Sequence, residues 1–181
     1  MYESSNSLKL MAVLAHPDDE SLGFGGTLAR YAAEGVQTFL LTATRGENGR
    51  LGSERASFPS RLGQLREAEL LAASRVLGLS DVRILGYPDG GLDGVDSAQA
   101  ILQIADHIRR IRPDVVVTFA PDGAYGHPDH IAISQLTTSA VVSAAYPDRE
   151  DPPHRVSCIV SGLGSPDCLV EIDATAYIGK D

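Results

Sequence analysis

The chain has 181 residues, 43% of them hydrophobic and 22% charged, enough to bury one good core, so a single globular domain over 1–181 is expected. A formal net charge of −9 and a pI near 4.9 exclude gripping a nucleic-acid backbone or an anionic membrane by bulk electrostatics, and leave a small polar substrate open. The two cysteines, Cys158 and Cys168, lack the close pairing of a zinc ribbon or redox motif and read as small buried hydrophobes of a reduced, cytoplasmic protein. The opening MYESSNSLKL has neither the basic nor the long apolar region of a secretion signal, and no later run is long enough to span a membrane.

Apolar, β-branched-rich runs at 8–15, 36–43, 82–86 and 114–120 predict strands buried on both faces. A helix is expected over Leu22–Gly35 after the first of them. The spacing of Leu62, Leu65, Ala68, Ala72 and Val76 predicts a second helix stopped by Gly78, and that of Ile101, Ile104, Ile108 and Ile111 a third stopped by Pro113. A fourth is expected over Pro128–Ala145. The charged, proline-containing DREDPPHR, 148–155, reads as a loop, with short strand candidates near 156–161 and 168–172. Strand and helix alternate through position 145, which implies an α/β fold with a mostly parallel sheet and helices on both faces. No internal repeat, low-complexity tract or linker to a second domain interrupts it.

In such sheets ligands bind beyond the carboxyl ends of the strands. The residues just after the strands are HPDDE, TRGENG, YPDGG and YGHPDH. Segments more than a hundred residues apart should therefore meet on one rim.

His16 and Asp19 are three apart, and Pro17 suits a first helical turn, where its missing N–H costs nothing. Both side chains can then face one point, as metal ligands must. His127 and His130 repeat the arrangement around Pro128 and Asp129. Together the two H-P-D turns offer three histidines and three aspartates to a divalent ion. Imidazole with carboxylate suits zinc, and also iron, cobalt or manganese, better than calcium or magnesium. Zinc, common and redox-silent, is the first choice. Three protein ligands leave a fourth position for water, whose pKa falls to roughly 7 on zinc. Asp18, the spare acid beside the ligands, is the natural acceptor of that water's proton. Spacing alone does not choose between His127 and His130 as ligand.

Either H-P-D turn alone would pass for a helix cap, but independent caps have no reason to share a pattern. GFGGTL matches a dinucleotide fingerprint only loosely, because Leu28 replaces the last glycine, so backbone packing is expected there. His107 and His154 read as surface residues, whereas two readings stay open for the others: a solvated loop pair or site residues for Arg45 and Glu47, and a turn residue or a site residue for Asp89.

AHPDDE, TRGENG, YPDGG and YGHPDH, in that order, resemble the LmbE-like, or PIG-L, family of metal-dependent N-acetylglucosaminyl deacetylases. The resemblance spans about 8–178. It implies a Rossmann-like fold and hydrolysis of the acetamide of a glucosamine-type sugar to acetate and a free amine. It further implies His16, Asp19 and His130 as ligands of Zn2+, or of Fe2+ or another divalent transition metal, and Asp18 as general base. His127 would act as acid or oxyanion stabiliser, its imidazole oriented by Asp129, and the Tyr125 hydroxyl would polarise the carbonyl. Arg45 and Asp89 match positions that hold sugar hydroxyls in relatives. Glu20 receives no role. Phe24 stands where a cysteine is common in the family, a change expected to alter packing. Many relatives continue past the point equivalent to Asp181, so the chain is expected to be a short member or a fragment. Oligomeric assembly, known for some relatives, is left open. Another acylated small molecule as substrate, or a non-catalytic sugar- or nucleotide-binding module, are the alternatives.

Overall fold

A computed structural model describes residues 7–51, 54–55, 58–145 and 157–161, the side chains of residue 51 and of both later short strands excepted. The apolar runs form parallel strands: β1 (Lys9–Leu14), β2 (Gln37–Thr44), β5 (Asp81–Tyr87), β6 (Val115–Phe119) and β7 (Ser157–Ser161), in the order β5-β2-β1-β6-β7. A small antiparallel pair, β3 (Arg50–Leu51) and β4 (Glu54–Arg55), lies between β2 and the next helix. The helices are α1 (Asp19–Leu22), α2 (Gly25–Ala33), α3 (Pro59–Leu77), α4 (Ser97–Ile111), the turn α5 (Gly123–Gly126) and α6 (Pro128–Ala145). The loop at 148–155, the strand candidate at 168–172, His154, Cys168 and the side chain of Cys158 lie outside the described residues.

β1 is the middle of the sheet, and Met11 to Ala15 have no exposed surface. That is why its sequence is continuously apolar rather than alternating. Leu10 stands opposite Thr38 on β2 and Val115 on β6. From β1 the chain steps outward to β2 and β5, then crosses back to β6 and β7. With the right-handed crossovers that parallel connections take as a rule, this order puts α2 and α3 over one face and α4 and α6 over the other, and α2 touches α3 as α4 touches α6. The direction reverses between β1 and β6, which opens a crevice at their carboxyl ends. HPDDE and YGHPDH flank that crevice.

Helix boundaries follow local chemistry. α4 begins where Asp96 accepts N–H bonds from Ala98 (3.0 Å) and Gln99 (3.2 Å). α3 ends at Gly78, left-handed at φ +73. α6 starts at Pro128, as expected.

Two expectations need correction. The helix over Leu22–Gly35 is broken at Gly23 and Phe24 into α1 and α2. Buried Glu20 sits in the first piece, and a Cβ at Gly25 would lie 3.4 Å from its carbonyl oxygen. The predicted apolar stripe of α3 is also rotated. Leu65 and Val76 are exposed, as are Ala68 and Ala72, while Leu62, Gly63, Leu70 and Ser74 are buried. The inner face thus mixes two leucines with a glycine and a serine, and a Cβ at Gly63 would meet the side chains of Arg45 and Glu47 at 3.3 and 3.4 Å.

Candidate metal and active site

The turn after β1 is built around Asp19. Its Oδ2 accepts the backbone N–H of His16 (2.8 Å) and Ala15 (3.2 Å). The carboxylate is thereby pinned against the strand end. Pro17 lies in the turn before α1 rather than in a helical turn, and its carbonyl accepts a hydrogen bond from Arg66 Nη2 (2.6 Å). Across the crevice, Gly123 bends the chain at φ +67, and a Cβ there would come within 3.2 Å of the His130 Cβ. His130, 3% exposed, stacks on Phe119 with ring centres 3.9 Å apart. Phe24 meets Phe119 edge-on with ring centres 6.1 Å apart and is 5% exposed, so the departure from cysteine is absorbed in core packing.

His16 Nδ1, His130 Nε2 and the Asp19 carboxylate converge. The two nitrogens are 3.3 Å apart, His130 Nε2 lies 3.4 Å from Asp19 Oδ1, and His16 Nδ1 lies 3.6 Å from Asp19 Oδ2. Bonds of about 2.0–2.1 Å to a tetrahedral metal separate the donors by about 3.3 Å. The cluster thus fits a zinc-type ion through one face, with the opposite side facing a cavity of 530 Å³. His16 Nε2 is held by Asp129 Oδ2 and Asp89 Oδ1, each at 3.1 Å, the carboxylate support that orients a ligand imidazole. His130 has no such partner: its Nδ1 is buried with no hydrogen-bond partner among the described residues, and the stack on Phe119 orients the ring instead.

Charge favours a cation here as well. Burial works to lower the pKa of His16, but hydrogen bonds to Asp19, Asp89 and Asp129 together with the charge of Asp19 raise it to about 10. Burial likewise opposes ionisation of Asp19, and His130 and His16 overcome it and hold the carboxyl well below its usual range. A proton on His16 therefore balances the acids where a divalent ion would otherwise do so.

Asp18 points the other way. Burial raises its carboxyl above the usual range, Arg66 opposing and the charge of Asp19 adding. Its Oδ2 is 2.5 Å from Arg66 Nη2, and its side chain is half-exposed in the cavity wall. His127 and Tyr125 line the same cavity, with ring centres 5.9 Å apart. Burial and the charges of His16 and His130 lower the His127 pKa.

Asp129 is reached from the sequence but contacts a different histidine. The expected bond from its carboxylate to the His127 imidazole is replaced by the contact with His16, and both of its oxygens also accept loop N–H groups, from Gly90 (2.7 Å) and Leu92 (3.1 Å). The backbone N–H of Asp129 faces His127 Nδ1 at 3.2 Å. With Nδ1 as acceptor, the proton of a neutral His127 sits on Nε2. Asp89 lines the cavity with its oxygens engaged, one at His16 and the other accepting the Asn48 N–H (2.8 Å). Glu47 Oε1 accepts the Asp89 N–H (3.0 Å).

Arg45 is not brought to the cavity: its Nε donates to Glu67 on α3 at 2.9 Å. Arg66, absent from the sequence expectations, stands at the cavity in its place. Its signal was in TRGENG, where Gly46 and Gly49 leave the space that its guanidinium fills. Arg66→Ala is expected to lower kcat/KM on the true substrate roughly ten- to a hundred-fold, the worth of a charge-assisted hydrogen bond at about 1.5–3 kcal/mol. Arg45→Ala should stay within about threefold, exposed ion pairs being worth little. Steady-state kinetics of the two variants would check this, and the reverse order would refute it.

The fold and the cluster define a doubly wound α/β protein with a candidate metal centre at its topological switch point. The GlcNAc-PI de-N-acetylase (PIG-L) pattern matches residues 11–141, short of the expected span at both ends, and the chain belongs to this family. It is 40% identical over 173 residues to a Rhodococcus erythropolis protein named 1D-myo-inositol 2-acetamido-2-deoxy-alpha-D-glucopyranoside deacetylase, covering 82% of this chain and 59% of that one. It is also similar to the conserved protein TT1542 of Thermus thermophilus, at 43% identity and a TM-score of 0.68, over 83% of this chain and 64% of the other. The N,N'-diacetylchitobiose deacetylase of Pyrococcus horikoshii shares the fold with a TM-score of 0.78 at 23% identity, covering 93% and 65% of the respective chains. The chain thus spans less than two thirds of the length of each. Among the described residues no helix is long and apolar enough to cross a membrane.

Proposed function

We propose that this protein is a zinc-dependent N-deacetylase that removes the acetyl group from an N-acetylglucosamine-type sugar. The observation that carries the proposal is the convergence of His16, Asp19 and His130 on one cavity beside Asp18, an acid outside the donor cluster that is paired with Arg66. Family membership and the names of the relatives support the substrate class. Two imidazoles and one carboxylate with an open side support zinc, and leave Fe2+ as the next candidate. A cytoplasmic setting belongs to the same proposal, supported by the two-cysteine composition.

A divalent ion held by these ligands supplies Lewis acidity to water and to the acetyl carbonyl. The protein's own groups do the rest. Asp18, its basicity raised by burial, accepts the proton of the attacking water. The Tyr125 hydroxyl donates to the carbonyl oxygen as negative charge develops there. His127, neutral with its proton on Nε2, donates a hydrogen bond to the developing negative charge, and the proton taken up by Asp18 passes to the departing amine nitrogen. Arg66 and Asp89 face the sugar hydroxyls, and Asp129 keeps His16 turned towards the ion.

The test is acetate release by purified protein from N-acetylglucosaminyl-inositol, N-acetylglucosamine and a panel of unrelated acetamides, with metal content measured on the same sample. Release confined to the amino sugars, lost on chelation and restored by zinc or Fe2+, is expected. Release only from other amides would move the substrate class, and protein that binds no metal would favour a non-catalytic binding module.

A further inference from the structure

Glu20 is the one acid of AHPDDE that the chemistry above does not use, and it is the most deeply buried of the three. It is 1% exposed, against 8% for Asp19, and no lysine or arginine pairs with it among the described residues. Burying a carboxylate without a counter-ion is costly unless its oxygens are satisfied by donors. The donors here are local: Glu20 Oε2 accepts the backbone N–H of Asp18 at 3.0 Å, and Oε1 accepts the Ser21 hydroxyl at 2.6 Å.

The backbone thus held is unusual. Asp18 has φ 107 and ψ −28, a region that L residues rarely enter. Its carbonyl accepts the N–H groups of Ser21 (3.0 Å) and Leu22 (2.9 Å). The peptide groups on both sides of the Asp18 Cα are therefore tied to α1, one through the Glu20 carboxylate and one through the first helical turn. This turn lets adjacent aspartates face opposite ways, Asp19 back onto the strand end and Asp18 into the cavity.

We propose that Glu20 is a positioning residue for Asp18: its buried carboxylate holds the left-handed turn that aims the proton-accepting side chain into the cavity. The proposal rests on Asp18 being the base. Removal of Glu20 then acts on catalysis through Asp18 alone and leaves the metal ligands in place.

The experiment is a double-mutant cycle on acetate release. Glu20→Met fills the same space without an acceptor, and Glu20→Gln keeps an oxygen for the Asp18 N–H. Glu20→Met should lower kcat about 10- to 100-fold, as misplacement of a reacting group does, with KM and bound metal unchanged. Glu20→Gln should restore kcat to within about threefold of wild type, because the same N–H is satisfied. In an Asp18→Asn background Glu20→Met should change the residual rate by less than about twofold, since nothing is left to position. An equal loss in both backgrounds, loss of metal, or an unaffected kcat would overturn the proposal. If Glu20→Met does not fold, Ser21→Ala, which frees the other Glu20 oxygen, takes its place, with about a threefold loss expected in wild type and none in Asp18→Asn. Should the wild-type protein release no acetate, the proposed activity fails separately. A crystal structure of Glu20→Met then decides the positioning: Asp18 leaving the left-handed region supports it, and an unchanged φ overturns it.

Discussion

Asp18→Asn is expected to lower kcat for acetate release by about 10²–10⁴-fold, the usual worth of a positioned general base, while KM and bound metal stay near wild type. Asparagine has the shape of aspartate but cannot take a proton at neutral pH. It also tolerates the left-handed backbone of position 18 better than most residues, so the turn should survive. The Arg66 guanidinium at 2.5 Å keeps an oxygen acceptor in the amide. The metal should remain because Asp19, not Asp18, is tied to His16 and faces His130. Elemental analysis and single-turnover kinetics on one preparation check both halves. A variant as active as wild type removes Asp18 from the base role, and one that loses metal makes it a ligand.

His130→Ala should release the metal and, with it, all measurable hydrolysis. The imidazole is one corner of the donor triangle, and two donors rarely hold zinc at a catalytic site. His127→Ala is the informative contrast. It lies in the same turn, but its Nδ1 is taken up by a backbone N–H at 3.2 Å, so metal should stay while kcat falls by about 10²–10³-fold, as when one donor to a developing oxyanion is lost. Full metal occupancy in His130→Ala with loss in His127→Ala would exchange the two assignments. Phe119 loses its stacked partner in His130→Ala, so a circular-dichroism melt must accompany the metal measurement to show that the fold persists.

Much of this site was legible because it is written in short, local stretches. AHPDDE and YGHPDH each place their acids and histidines within one turn, and the α/β alternation puts both turns on one rim. The remainder depends on partners far apart in the chain. Asp129 and His127 are two residues apart and invite pairing, yet the Asp129 carboxylate belongs to His16, 113 residues away. Arg45 sits in a rim motif and turns out to Glu67, whereas Arg66 reaches in from a helix whose apolar pattern suggested a different inner face. Periodicity weighs only hydrophobicity, so a helix that buries glycine and serine and sends an arginine into a cavity is read as rotated.

By itself, then, the sequence determined the strand and helix order, the start of α6 at Pro128 and the gathering of two H-P-D turns at the strand ends, all of which follow from local propensity and chain connectivity. The tertiary structure alone decided which histidine faces Asp19, which imidazole each carboxylate holds, which arginine reaches the cavity, and that Glu20 is buried beneath Asp18. Those choices turn on distances of about 3 Å between side chains on different elements, and neither composition nor spacing carries them.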